Sequence, residues 1–191
     1  SGNAGMRKVD AAQGDVKINS TNFPDEGFRK YISENIDLNE DGVLSKAEIK
    51  KVTEIKLEPY DEAGNELVYN DLTGIGVFTE LKRLECEDQK SLSKLDLHKN
   101  TKLEFVKCGH NGIKELNVSK LTKLKELRCY VNKLTKLDVS KNVNLEILDC
   151  ESNNLTGLDL RKNTKLVELY CGGNKLTKLD LTKNTRLNNL W

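Results

Sequence analysis

One short run of the sequence, Asp37-Leu38-Asn39-Glu40-Asp41-Gly42-Val43-Leu44-Ser45-Lys46-Ala47-Glu48, places oxygen-bearing side chains at alternating positions around a glycine. That spacing matches a twelve-residue loop whose acids and amides converge on one point after a sharp turn. In such a loop Asp37, Asn39 and Asp41 supply side-chain oxygens, Val43 its carbonyl, Ser45 a water-bridged contact and Glu48 two carboxylate oxygens. An all-oxygen set of this kind suits a hard, flexible-coordination cation, so the expected cofactor is a single calcium ion. Gly42 permits the turn, and Leu44 would tie the loop into the apolar interior. A helical pair that keeps this shape without an ion is the plainer alternative.

The cysteines are the second candidates for chemistry. Cys86, Cys108, Cys129, Cys150 and Cys171 are all the thiols in the chain, and they recur every 21 or 22 residues. Leu81, Leu103, Leu124, Leu145, Leu166 and Leu187 keep the same interval. So does an asparagine column, Asn111, Asn132, Asn153 and Asn174, which would bond backbone groups stranded by the turn. The pattern L-x-x-L-x-[LC]-x-x-N-x-L at this period is the leucine-rich-repeat signature. In stacked parallel strands about 4.8 Å apart, in-column Cβ atoms lie further apart than the ~3.8 Å that a disulfide needs. Free, buried, inert thiols are therefore expected. Cys108 and His110 stand two residues apart, but nothing nearby completes a metal set or a triad.

These residues require particular elements to hold them. The fold expected is an α/β solenoid, a leucine-rich-repeat horseshoe with a parallel concave sheet, preceded by a small α-helical cap. Residues 1–19 read as a tag or linker without fixed structure, 20–56 as the helical EF-hand-like cap, and 57–191 as the repeat domain. A helix is expected from about Pro24, with Phe28, Tyr31, Ile32 and Ile36 on its apolar face, and a second from Ser45 to about Ile55. Solenoid ends expose apolar core, so the two helices would cover the first coil. Leu72-x-x-Ile75-x-Val77 reads as the second half of a repeat, after an insertion turning at Gly64. The chain stops midway through a strand at Leu190-Trp191, which reads as an array cut short.

Composition excludes several functions. Lys and Arg number 31 against 30 Asp and Glu, a net charge of +1, so bulk charge does not favour nucleic acid. Aromatic content of 5% and a mean hydropathy of −0.59 describe a soluble chain. No apolar run of about 18 residues is present to span a bilayer. With two histidines and no nucleophile–base pair, the chain is not expected to be an enzyme.

The run Asn22-Phe23-Pro24-Asp25 with Phe28, Arg29 and Tyr31, the loop 37–48, and the N-x-L-T-x-L-D-[LV]-S-K-N-T repeats resemble bacterial cell-surface proteins of the internalin-like, cysteine-ladder type. The resemblance covers residues 20–191 and implies a secreted or cell-surface module that binds a protein or glycan through its concave sheet. Internalin caps commonly lack a complete ion site, whereas this loop keeps every ligand position. Side chains pointing away from the core would line the concave face. Phe105, Lys107, Arg128, Tyr130, Ile147, Asp149, Glu168 and Tyr170 are the candidate contacts, aromatic and apolar anchors among charges. An intracellular scaffold for protein–protein interaction is the alternative, since unpaired thiols suit a reducing compartment equally well. A monomer is expected.

Overall fold

The structure, a computed structural model, describes residues 14–191. Strand β1 (Val16–Lys17) precedes helix α1 (Glu26–Asn35), strand β2 (Val43–Leu44) and helix α2 (Lys46–Lys50). Seven strands then form one parallel sheet in sequence order: β3 (Glu54–Lys56), β4 (Arg83–Glu85), β5 (Phe105–Lys107), β6 (Glu126–Arg128), β7 (Ile147–Asp149), β8 (Glu168–Tyr170) and β9 (Asn189–Leu190). The register is unbroken. Leu84 pairs with Val106, Val106 with Leu127, Leu127 with Leu148, and Leu148 with Leu169. This is the leucine-rich-repeat solenoid that the period implies.

Each coil is too thin to bury its own leucines, so the core runs along the stack. Leu81, Leu103, Leu124, Leu145 and Leu166 are fully buried, as are Cys86, Cys108, Cys129 and Cys150. All five cysteines are free, with Cys171 half-buried at the last coil. Burial pushes the thiols of Cys108 and Cys150 up to about 12, so neither is a thiolate at neutral pH.

Burying a coil also buries its backbone carbonyls, and two asparagine columns answer for them. In the first, Asn132 Nδ2 donates to the carbonyls of Cys108 and Cys129 (both 3.0 Å), while its Oδ1 accepts from Ile113 N–H (3.0 Å). Asn111, Asn153 and Asn174 repeat this one coil before and after. Gln89 takes the same place in the first coil and reaches the carbonyls of Leu57 and Glu87. The second column, Asn100, Asn142, Asn163 and Asn184, escapes the sequence reading. Asn163 Nδ2 donates to Val139 O (3.0 Å) and Asn142 O (2.9 Å) of the preceding coil, and Asn184 does the same to Leu160 and Asn163. Leu121 stands in this column in place of an asparagine.

That second column also corrects the alignment of the incomplete first repeat. Asn100 Nδ2 donates to Ile75 O and Phe78 O, where Asn142 donates to Val118 O and Leu121 O. Ile75 and Phe78 therefore hold the places of Val118 and Leu121, a different register from the one read through Leu72. The chain forms a 3-10 turn over Ile75–Val77. The insertion does turn at Gly64, with Tyr60 bridged to Glu66.

The cap and the array share one core. Phe23 meets Phe28 of α1 edge-on (5.9 Å) and stacks with Phe78 of the first coil (6.4 Å). Phe23 closes directly over Gly74, where any Cβ would strike its ring. Asp25 caps α1 by accepting from Phe28 N–H (2.8 Å), and its other oxygen accepts from Asn70 N–H (2.8 Å). One buried carboxylate thus both starts the helix and fastens it to the repeats. Helix α2 ends at Lys50, short of the expected Ile55, because Glu54–Lys56 is recruited as the first strand of the sheet. Residues 1–13 of the expected tag lie outside the described residues. Beyond them, Val16 and Lys17 depart from the linker expected over 1–19. They pair antiparallel with Leu44 and Val43, giving partners to backbone groups of the loop strand.

Replacing Asn153 by Ala would leave the carbonyls of Cys129 and Cys150 and the N–H of Leu134 without this partner. We expect a loss of roughly 1–3 kcal/mol in urea denaturation. Asn144→Ala, at a side chain bonded only near the surface, should cost less than about 0.5 kcal/mol.

Candidate functional site

Two places carry the residues singled out from the sequence: the open face of the sheet and the loop 37–48. On the open face, alternate strand residues turn outward because the intervening leucine or valine turns in. The register stacks Arg83, Phe105, Glu126, Ile147 and Glu168 in one row, and Glu85, Lys107, Arg128, Asp149 and Tyr170 in the next. Seven of the eight candidate contacts therefore lie in these two rows, and Tyr130 follows just beyond β6, with its ring against Gly109.

Their side chains are engaged with one another. Arg83 lies 4.3 Å over the Phe105 ring, a cation–π contact that covers this aromatic. Lys107 pairs with Glu85 (3.5 Å), and Arg128 pairs with Glu126 (2.6 Å) and more loosely with Asp149 (3.8 Å). Tyr170 donates its hydroxyl to Glu168 (3.1 Å), and this bond leads the causes that raise its pKa. Tyr130 packs its ring against Gly109 of the preceding coil, where a Cβ would collide with it. Burial raises the Tyr130 phenol well above its ordinary range, helped by the negative charge of the nearby Glu87 carboxylate. Asp149 is 9% exposed, and burial raises its carboxyl too. The anchors expected from sequence are therefore held flat and preorganised, with their charges already matched. Ile147 remains half-buried between Glu126 and Glu168.

At the cap, the loop between α1 and α2 is held by hydrogen bonds from its own side chains. Asp37 Oδ2 accepts from Gly42 N–H (2.8 Å), and Asp41 Oδ1 from Val43 N–H (2.9 Å). Ser45 and Glu48 form a reciprocal capping box at α2: Ser45 Oγ accepts from Glu48 N–H (3.1 Å) and Glu48 Oε1 from Ser45 N–H (2.9 Å). Glu48 Oε2 accepts from Leu38 N–H (3.1 Å), which closes the loop on itself. Asp37 is 4% exposed, and its Oδ1 has no hydrogen-bond partner. A buried carboxylate oxygen left unpartnered is where a cation would be most welcome. Among the described residues, however, no three acid, imidazole or thiol groups gather closely enough to clasp an ion, and Asp41 and Glu48 accept from backbone N–H groups. The donor chemistry fits calcium. The positions of Asp41 and Glu48 are those of a loop closed by its own hydrogen bonds.

Solved structures carry the same solenoid. The functional domain of InlJ from Listeria monocytogenes, described as including a cysteine ladder, is 33% identical with a TM-score of 0.79. That match covers 95% of this chain but 38% of the other, so this chain spans well under half of that domain. Internalin C2 of the same organism matches over 95% of this chain and 88% of its own, at 17% identity and a TM-score of 0.64. A leucine-rich-repeat protein of Leptospira interrogans matches 75% of this chain and 44% of its own, at 21% identity and 0.55. These last two likenesses concern the fold alone. No protein-family model matches the chain, and no curated protein does. The free cysteine column here runs unbroken over five coils.

The chain carries a leucine-rich-repeat solenoid like that of the internalins. The sequence reading placed the open-face positions of β4 to β8 but not Glu54 and Lys56 of β3, and it missed two devices that set the face, the Arg83 cover on Phe105 and the Gly109 seat under Tyr130. Both pair residues 21 or 22 apart in sequence, so the repeat alignment carried the signal. No helix of the described residues is long and apolar enough to cross a membrane.

The seat is open to test. Gly109→Ala should lift Tyr130 off the sheet, relieve its burial and lower its phenol pKa toward the ordinary value. Tyrosine absorbance titration, with Tyr130→Phe identifying the signal, should read this. An unchanged titration would show that the ring does not depend on Gly109.

Proposed function

We propose that this chain is a secreted or cell-surface bacterial adhesion module that recognises a protein or glycan partner through the open face of its sheet, with one calcium ion bracing the cap. The observation that carries the reading is the sheet face itself. Among the described residues the seven parallel strands have no layer over one side, and Tyr130, Ile147 and Tyr170 lie there beside paired charges. Rigid aromatic area within a polar rim is what protein interfaces use, because little side-chain entropy remains to be lost on binding. The internalin likeness supports the surface setting, and it is a likeness over part of those proteins only.

A direct test is binding of the labelled chain to intact eukaryotic cells by flow cytometry. Tyr130→Ala with Tyr170→Ala should weaken it by more than about 1 kcal/mol per anchor, while Thr135→Ala on the return side leaves it unchanged. Equal effects from both faces would remove the open face from consideration.

The bracing ion is supported by the unpartnered Asp37 Oδ1 and by the all-oxygen loop. Asp37, Asn39, Asp41, Val43 and Glu48 would hold it, and Ser45 would reach it through water. Sites of extracellular modules bind calcium at about 10⁻⁴–10⁻³ M. Calcium at about 100 times the dissociation constant should then stabilise the fold by about 2.7 kcal/mol. Thermal melts with calcium and with chelator should show this increment, and Glu48→Gln should lose most of it. Identical melts under both conditions, with isothermal titration calorimetry detecting no binding, would remove the ion from the cap.

A further inference from the structure

The second asparagine column places a second surface that the open face does not use. The column position, asparagine in four coils and Leu121 in the fifth, sits in a Lys-Asn-Thr-Lys-like turn just before the strand, at residues 99–102, 120–123, 141–144, 162–165 and 183–186. The residue before the column position is a lysine in all five coils: Lys99, Lys120, Lys141, Lys162 and Lys183. Two residues after it stand Lys102, Lys123, Lys165 and Arg186, with Asn144 the exception. None of these five turns contains an acidic residue. A chain whose net charge is +1 thus concentrates nine cations along the edge where β5 to β9 begin.

The stacking of these turns is set by hydrogen bonds. Asn163 donates to Asn142 O and Asn184 to Asn163 O (2.9 Å each), so each turn sits directly on its predecessor. Lys165 Nζ donates to Asn144 Oδ1 (2.7 Å), and Asn144 donates to Thr122 O (3.0 Å), which holds the outer column in line as well. At the first of these coils Lys102 is neutralised by Glu80 (2.6 Å). Lys99, Lys120, Lys123, Lys141, Lys162, Lys183 and Arg186 form no ion pair among the described residues, and all are exposed. The neighbouring Asp138, Asp159 and Asp180 accept from the N–H groups two residues ahead.

We infer that this edge is a binding stripe for a linear, sulfated polysaccharide. Cation columns at an interval of about 4.8 Å present roughly one charge pair for each sugar ring of an extended chain. Thr101, Thr122, Thr164 and Thr185 lie exposed between the columns and offer hydroxyls to sugar hydroxyls. A single-stranded nucleic acid would need aromatic platforms for its bases, and the stripe has none. A lipid surface would need apolar anchors, and Val143 is the sole exposed apolar side chain in these turns. The partner chemistry differs from that of the open face, and the two surfaces are separable by mutation.

Retention on immobilised heparin, with elution by salt, tests the stripe. The full chain should bind, and its affinity should fall steeply with salt as counterions are released. Replacing Lys120, Lys141, Lys162 and Lys183 by Gln should weaken binding about tenfold or more and flatten the salt slope by about three to four units, one for each lost contact. Replacing Lys114, Lys133, Lys136 and Lys178 by Gln removes the same charge elsewhere and should leave retention close to that of the native chain. Equal losses in the two variants, with unchanged melting temperatures, would mean net charge alone and would overturn the stripe. So would an absence of retention. A single-stranded oligonucleotide or anionic phospholipid vesicles that bind as tightly as heparin, with the same loss in the stripe variant, would overturn the polysaccharide assignment.

Discussion

Burying a backbone carbonyl without a hydrogen bond is expensive, and a solenoid one coil wide must bury carbonyls from every coil. The asparagine amides are what make that burial tolerable here. Each amide serves a carbonyl of its own coil and one of the coil before, or two of the coil before. A coil cannot then be rotated, shortened or skipped without stranding a polar group in the leucine core. The leucines supply the drive to stack, and the amides fix how the stack registers. Gln89 shows the same constraint at work in the first coil, where a longer amide fills the asparagine's place and still finds two carbonyls.

The constraint extends to the cap. An array built of interchangeable coils has no intrinsic end, and its first coil here lacks a complete repeat. Phe23, Phe28 and Phe78 convert that exposed end into interior, and Asp25 bonds helix and coil with one carboxylate. The loop 37–48 stands behind this contact, with Leu44 fully buried and β1 paired along its strand. An ion held in the loop would stiffen the connection between α1 and α2, and thereby the cover over the first coil.

Rigid registration also explains why surface chemistry comes in rows. Any side chain flanking a fixed position recurs at the same place in each coil, so the sheet face becomes a grid and the turn edge becomes a line. On the grid, opposite charges have been set beside each other and the aromatics laid flat. On the line, like charges repeat. The first arrangement favours shape-specific contact with little reorganisation, and the second favours a long, flexible, oppositely charged partner.

Period and residue type determined the solenoid, the inward cysteine column and the first asparagine column, because each follows from a single coil repeated. The same reasoning placed the open-face residues of β4 to β8, though not Glu54 and Lys56 of β3. It passed over Asn100, Asn142, Asn163 and Asn184, since a polar residue beside lysines carries no sign of burial until the coil beneath it presents two carbonyls. It continued α2 to Ile55, since local helical spacing cannot know that Arg83, 29 residues beyond Glu54, will offer a strand edge. It saw Tyr130 and Phe105 as projecting anchors, since the glycine and arginine that hold them flat belong to the coil before. What one coil contains was legible in the sequence. What adjacent coils do to each other was decided by tertiary structure, because those contacts join residues that only stacking brings within a hydrogen bond's reach.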